Sequence, residues 1–211
     1  MKMSIASLSL LTVCCLMLAV APAMADATLY SNGPYNGNKA AWGINAGNAV
    51  SDSFTVPSGS SIEDLAIVYW VLTGNPVLTS VDMSIGSTSF GGTPQTLTPI
   101  FKRLLLNNGT FDVYEAVFAF TNIPWSGAGW LTLQNACTTA GCSFSSDTVY
   151  WDENDGPSLA FDRASGAQIG SESFTLTGTT TPPGTPEPSS LMLFGSGILG
   201  LAGILRKKVI G

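Results

Sequence analysis

The chain has 211 residues, 45% of them hydrophobic and 10% charged, with 23 Gly and 12 Pro. That is room for one ordinary domain plus targeting segments, with a real core and far fewer charges than the ~25% of a typical soluble domain. Between the terminal segments, Lys39, Lys102, Arg103 and Arg163 face all 14 acidic residues, a net −10 that repels phosphate backbones and excludes a nucleic-acid partner. The chain has no His, which removes Ser-His and Cys-His nucleophile systems.

Residues 1–25 have the three parts of a secretory signal peptide. Lys2 is the charged start, residues 5–20 are apolar or small, and Ala23-Met24-Ala25 is an A-x-A site that predicts cleavage before Asp26. A lipidated Cys14 would cut the apolar core in half, and Leu11-Thr12-Val13 lacks the small residue wanted before it.

Residues 26–178 read as strand after strand. Val81-Asp82-Met83-Ser84-Ile85, Ser53-Phe54-Thr55-Val56 and Ser173-Phe174-Thr175-Leu176 alternate apolar and polar residues, the mark of a strand with one face in a core. Residues 65–72 are apolar on both faces and predict a central strand; residues 111–120, 130–133 and 148–151 complete the set. Turn signals separate them, among them Asn32-Gly33-Pro34, Gly74-Asn75-Pro76, Gly91-Gly92 and Asn107-Asn108-Gly109. The expected fold is all-β, an antiparallel β-sandwich of jelly-roll type.

Cys137 and Cys142 remain after the leader is removed. Two Cys without His cannot complete a zinc site, so a disulfide closing a small loop is expected, worth about 2 kcal/mol on the chain-entropy estimate. Asp152-Glu153-Asn154-Asp155, just before Gly156-Pro157, is a run of oxygen-bearing side chains. It makes calcium the one candidate cofactor, although a polar turn explains the same residues and no EF-hand spacing is present. Tyr35, Trp42 and Trp125 fall in turn-rich stretches and are the candidates for an exposed sugar-stacking platform. Trp70 and Trp130, inside apolar strands, are expected in the core.

After the strands, residues 179–188 are a Thr- and Pro-rich linker. Residues 191–205 carry no charge, and Arg206-Lys207-Lys208 follow within a terminal segment, 189–211, that predicts a transmembrane helix with a basic tail. Such a helix spans roughly 22–26 Å against a hydrocarbon core of about 30 Å, with the basic end on the cytoplasmic side. Its Gly195-Ser196-Gly197-Ile198-Leu199-Gly200 spells a dinucleotide-binding pattern, but that pattern has meaning only inside a βαβ unit.

Pro186-Glu187-Pro188, the Gly-rich apolar helix and Arg206-Lys207-Lys208 resemble the PEP-CTERM sorting signal of Gram-negative bacteria. The resemblance covers about the last 25 residues. It implies an exported precursor held in the inner membrane transiently, cut by an exosortase and passed to the cell surface or extracellular matrix, in organisms that make exopolysaccharide and biofilm. A permanent anchor is the alternative, disfavoured by the short span. Residues 130–136 and 150–154 are similar to the β-sandwich regions of other proteins with this tail, which supports the fold and carries no activity.

Two functions follow as expectations: a matrix protein whose sandwich binds extracellular polysaccharide, or a purely structural or adhesive surface protein. A glycan-active enzyme is a remote third. It needs two carboxylates about 5–10 Å apart across a substrate, and nothing in the spacing of Glu63, Asp64, Glu115, Asp152, Glu153 and Glu172 singles out a pair. No catalytic residue is expected.

Overall fold

The computed structural model describes residues 26–37, 40–74, 77–142 and 148–180. The signal peptide with Ala23 and Ala25, the Pro-rich linker from 181, the PEP triplet, the transmembrane helix and the basic tail lie outside the described residues. Those described form twelve strands and no helix: β1 (Ala27–Ser31), β2 (Ala41–Gly43), β3 (Ala49–Leu72), β4 (Leu78–Gly86), β5 (Gln95–Leu97), β6 (Phe101–Asn107), β7 (Phe111–Thr138), β8 (Tyr150–Asn154), β9 (Ala160–Asp162), β10 (Gln168–Ile169), β11 (Ser171–Glu172) and β12 (Phe174–Thr180). Every pairing between them is antiparallel.

The expected strands 53–56 and 65–72 prove to be two halves of the 24-residue β3. Segments 111–120 and 130–133 likewise belong to the 28-residue β7. Pro57 and Pro124 lack a backbone donor, which predicts a break. Instead the pair bulges and continues: the ladder skips from Val56↔Gly127 to Ser60↔Trp125. Gly59 (φ 74°) and Gly127 (φ 77°) supply the left-handed backbone that this bend requires.

The bend folds one continuous sheet into a sandwich. The first half of β3 pairs with the second half of β7, which carries β4 and β5, and with β9. The second half of β3 pairs with the first half of β7, which carries β6, and with β12 and β8. One core joins the two layers: Val50, Phe54, Leu131, Leu133 and Met83 from the first meet Leu65, Ile67, Tyr69, Phe118, Trp151 and Phe174 from the second. Period-two alternation selects these residues, since odd and even positions of a strand point to opposite faces. β12 runs two residues past the expected boundary at 178, because Thr179 and Thr180 still find partners in Ser61 and Ser60.

Candidate functional site

Strand β8 organises the most chemically loaded part of the molecule. It is short, pairs with β2, β3 and β11, and alternates its faces. Trp151 points into the core at 0% exposure, donates Nε1–H to the Ser173 carbonyl (3.0 Å) and packs on Phe174. Glu153 shares that face and accepts the Trp42 indole N–H at 2.7 Å. Asp152 points the other way and is also fully buried; its Oδ1 accepts the Trp70 indole N–H at 2.7 Å, and burial pushes its carboxyl up to about 7. Asn154 donates to the Asn32 and Gly33 carbonyls, and Asp155 is exposed. The run Asp152, Glu153, Asn154 and Asp155 therefore splits between two faces and forms no single ligand set. Among the described residues, no group of three acidic, His or Cys side chains is arranged to hold a metal ion.

The structure also separates the three aromatic residues expected to form one platform. Trp42 lies in β2, directly opposite Trp151, and packs half-buried against the core. Trp125 closes the β7 bend, donating Nε1–H to the Ala128 carbonyl (3.2 Å) and packing on Phe54 at 6.2 Å. Gly129 makes that packing feasible, since a β-carbon there would lie 2.6 Å from Phe54 Cζ and 2.7 Å from Trp125 Nε1. Trp125 belongs to a ring chain that runs through Phe54, Tyr30 and Phe174 into the core, whereas Tyr35 joins an array on the outer face. It meets Trp70 edge-on at 6.1 Å, Trp70 meets Phe111 at 5.5 Å, and Phe111 meets Tyr150 at 6.1 Å. All four rings are half-buried on the outer face of the sandwich. The array stands over Asp152, whose charge, after burial, helps to raise the Tyr35 phenol.

Trp70 and Trp130 are thus outer-face residues, contrary to the expectation that both are core. The signal was present in the alternation. Leu131 and Leu133 flank Thr132, so Trp130 falls in the polar register, where it packs on Phe161; Trp70 sits between buried Tyr69 and Val71. Their place inside apolar strands suggested burial, and strand parity decided against it.

A second cluster lies inside the sandwich. Glu172, 0% exposed, pairs across the ladder with Glu153, and its backbone N–H donates to Asp52 Oδ2 at 2.6 Å. Asp52, also 0% exposed, accepts the Asn32 side-chain amide (3.0 Å) on the same oxygen. Burial pushes the Asp52 carboxyl up to about 7 and holds Glu172 well above the ordinary glutamate range, with the Asp52, Glu153, Asp152 and Asp162 charges adding to the effect on Glu172. Gly170 leaves room for this crowding, since a β-carbon there would lie 2.5 Å from the Glu153 carboxyl carbon.

Cys137, near the end of β7, and Cys142 form the expected disulfide. Beyond the described strands, the sequence model of the PEP-CTERM protein-sorting motif matches residues 184–207. This segment contains the Pro186-Glu187-Pro188 triplet, the apolar stretch, Arg206 and Lys207, with Lys208 next in line. Comparison with curated proteins gave no match. The chain carries a C-terminal PEP-CTERM protein-sorting motif, and it is an exported precursor of the kind that an exosortase processes.

Proposed function

We propose that the mature protein is a cell-surface or extracellular-matrix component whose sandwich binds uncharged polysaccharide through the Tyr35–Trp70–Phe111–Tyr150 array. The observation that carries this reading is the array itself. The outer face of a sandwich is ordinarily polar, whereas here four half-exposed rings are contiguous and rest on a buried carboxylate. The net −10 of residues 26–188 favours an uncharged polymer over an anionic one. The role is binding rather than catalysis: Asp52 and Glu172 lie inside the sandwich at 0% exposure, out of reach of a polymer.

Retention of the protein on the producing organism's own polysaccharide tests the reading. Tyr150→Ala and Phe111→Ala are each expected to weaken retention about tenfold with unchanged circular dichroism, as loss of one ring contact of about 1 kcal/mol or slightly more requires. Trp125→Ala, in the β7 bend, is expected to leave retention intact. No retention with or without a chelator would leave the structural or adhesive role in its place.

The sorting step makes a separate prediction. Protein recovered from the cell exterior should begin at Asp26 and lack residues 191–211, which intact-mass analysis reads directly. A mass that includes the apolar segment and basic end would instead mean a permanent membrane anchor.

A further inference from the structure

We propose that Asp52 and Glu172 are the carboxylate ligands of a calcium ion held between the two layers of the sandwich. Three of their four carboxylate oxygens, Asp52 Oδ1 and both of Glu172, are buried with no hydrogen-bond partner. Nearby acids are differently disposed. Glu153 accepts the Trp42 indole, Asp162 caps the turn at Ser165, and Asp152 bonds Trp70 from the opposite face of β8. Among the described residues, no cation is paired to Asp52 or Glu172.

Protonation alone is a poor resolution of this arrangement. A neutral carboxyl still has an O–H and a carbonyl oxygen to satisfy, and Glu172 meets no partner for either. A divalent cation cancels both charges and occupies the open oxygens together. The donor chemistry selects a hard ion. The described surroundings offer oxygens and no free thiol or imidazole, which suits calcium and not zinc. Two carboxylates supply the charged ligands, Asp52 lying against the Glu172 backbone, so neutral oxygens complete the shell. The Ser158 hydroxyl, beside Asp52 and 2.6 Å from that of Ser171, is one such group. This pair is distinct from the 152–155 run, and only the fold brings its members together: they are 120 residues apart in sequence.

The test uses the full chain in detergent, first stripped with a chelator, then titrated with calcium or terbium. Trp42, bonded to Glu153, the ladder partner of Glu172, is the indole expected to sensitise terbium emission. We expect one ion per chain and, at millimolar calcium, a rise in Tm of about 3–6 °C, as follows from a site near the 10⁻⁴ M range of extracellular modules. Glu172→Gln and Asp52→Asn should each abolish the shift and the emission, whereas Asp155→Asn should keep both. Glu172→Gln is nearly isosteric and folds if burial of an uncompensated charge is the problem; Asp52→Asn provides the second measurement. Absence of any shift in the wild-type chain, a shift that survives both substitutions, or one lost in Asp155→Asn would each overturn the proposal.

Discussion

Free of divalent cations, the full chain is expected to lose several kcal/mol of stability as the pH rises from 4 to 8. The sign follows from proton counting. In the unfolded chain Asp and Glu titrate near 3.9 and 4.3. In the folded chain burial pushes Asp52 and Asp152 to about 7 and holds Glu172 well above the ordinary glutamate range. Between those values the folded state binds more protons than the unfolded state, so stability falls with pH. The stabilisation is fully present below about pH 4 and is lost progressively as the pH rises through about 7.

One aspartate shifted by about three units represents about 4 kcal/mol, and the three groups resist one another. Ionising Asp52 makes Glu172 harder to ionise, so their effects do not add simply. The charges that act on Glu172 are those of Asp52, Glu153, Asp152 and Asp162, all acidic, and none offsets the trend. The Arg103–Glu115 ion pair lies at the surface and contributes little. Urea unfolding at half-unit pH steps measures the effect. Glu172→Gln should raise the midpoint at pH 8 and flatten the profile. A profile that is level, or that rises between pH 5 and 8, would show that these carboxyls are not buried as described.

Truncating Trp151 is expected to cost about 3–5 kcal/mol, the range for a large aromatic side chain removed from a closed core. Trp151 is 0% exposed, stands opposite Tyr69 and Trp42 in the ladders, packs on Phe174 and bonds the Ser173 carbonyl. Alanine would leave a cavity where β8 crosses β3 and would strip the Ser173 carbonyl of its indole donor. Trp151→Phe, which keeps a ring but loses the N–H, should cost less, about 1–3 kcal/mol. Trp130→Ala, on the half-exposed outer face, should cost about 1 kcal/mol. Denaturant midpoints with unchanged slopes distinguish the three. Equal losses for Trp151→Ala and Trp130→Ala would contradict the opposite faces assigned to them.

These contrasts mark what could be read from the chain before its fold. Val81 to Ile85 and Phe174 to Leu176 show their strands in their alternation, and they are strands. Cys137 and Cys142 are close enough in sequence that their pairing needed little more than an oxidising destination. The long bent strands were not legible. Pro57 and Pro124 cannot donate to a ladder, and only the mutual pairing of β3 with β7 carries the strands across them. Trp42 was misread because a turn-rich neighbourhood says nothing of the strand that later pairs with it. Ser171, Glu172 and Ser173 are all buried, although no local pattern marks these polar residues for the interior.

By itself, then, the sequence determined the sorting motif of this protein and the class of its fold. Sorting motif and strand periodicity are properties of contiguous residues, so one pass along the chain reveals them. Which side chains meet was decided by the tertiary structure alone. Burial depends on the partner that folding brings from elsewhere. Asp52 comes to Glu172 from 120 residues away, and Asp152 comes to Trp70 from 82. An acidic residue in sequence is a solvated charge until such a partner removes its water. That removal, absent from any local pattern, turns Asp52 and Glu172 into the most consequential pair in the molecule.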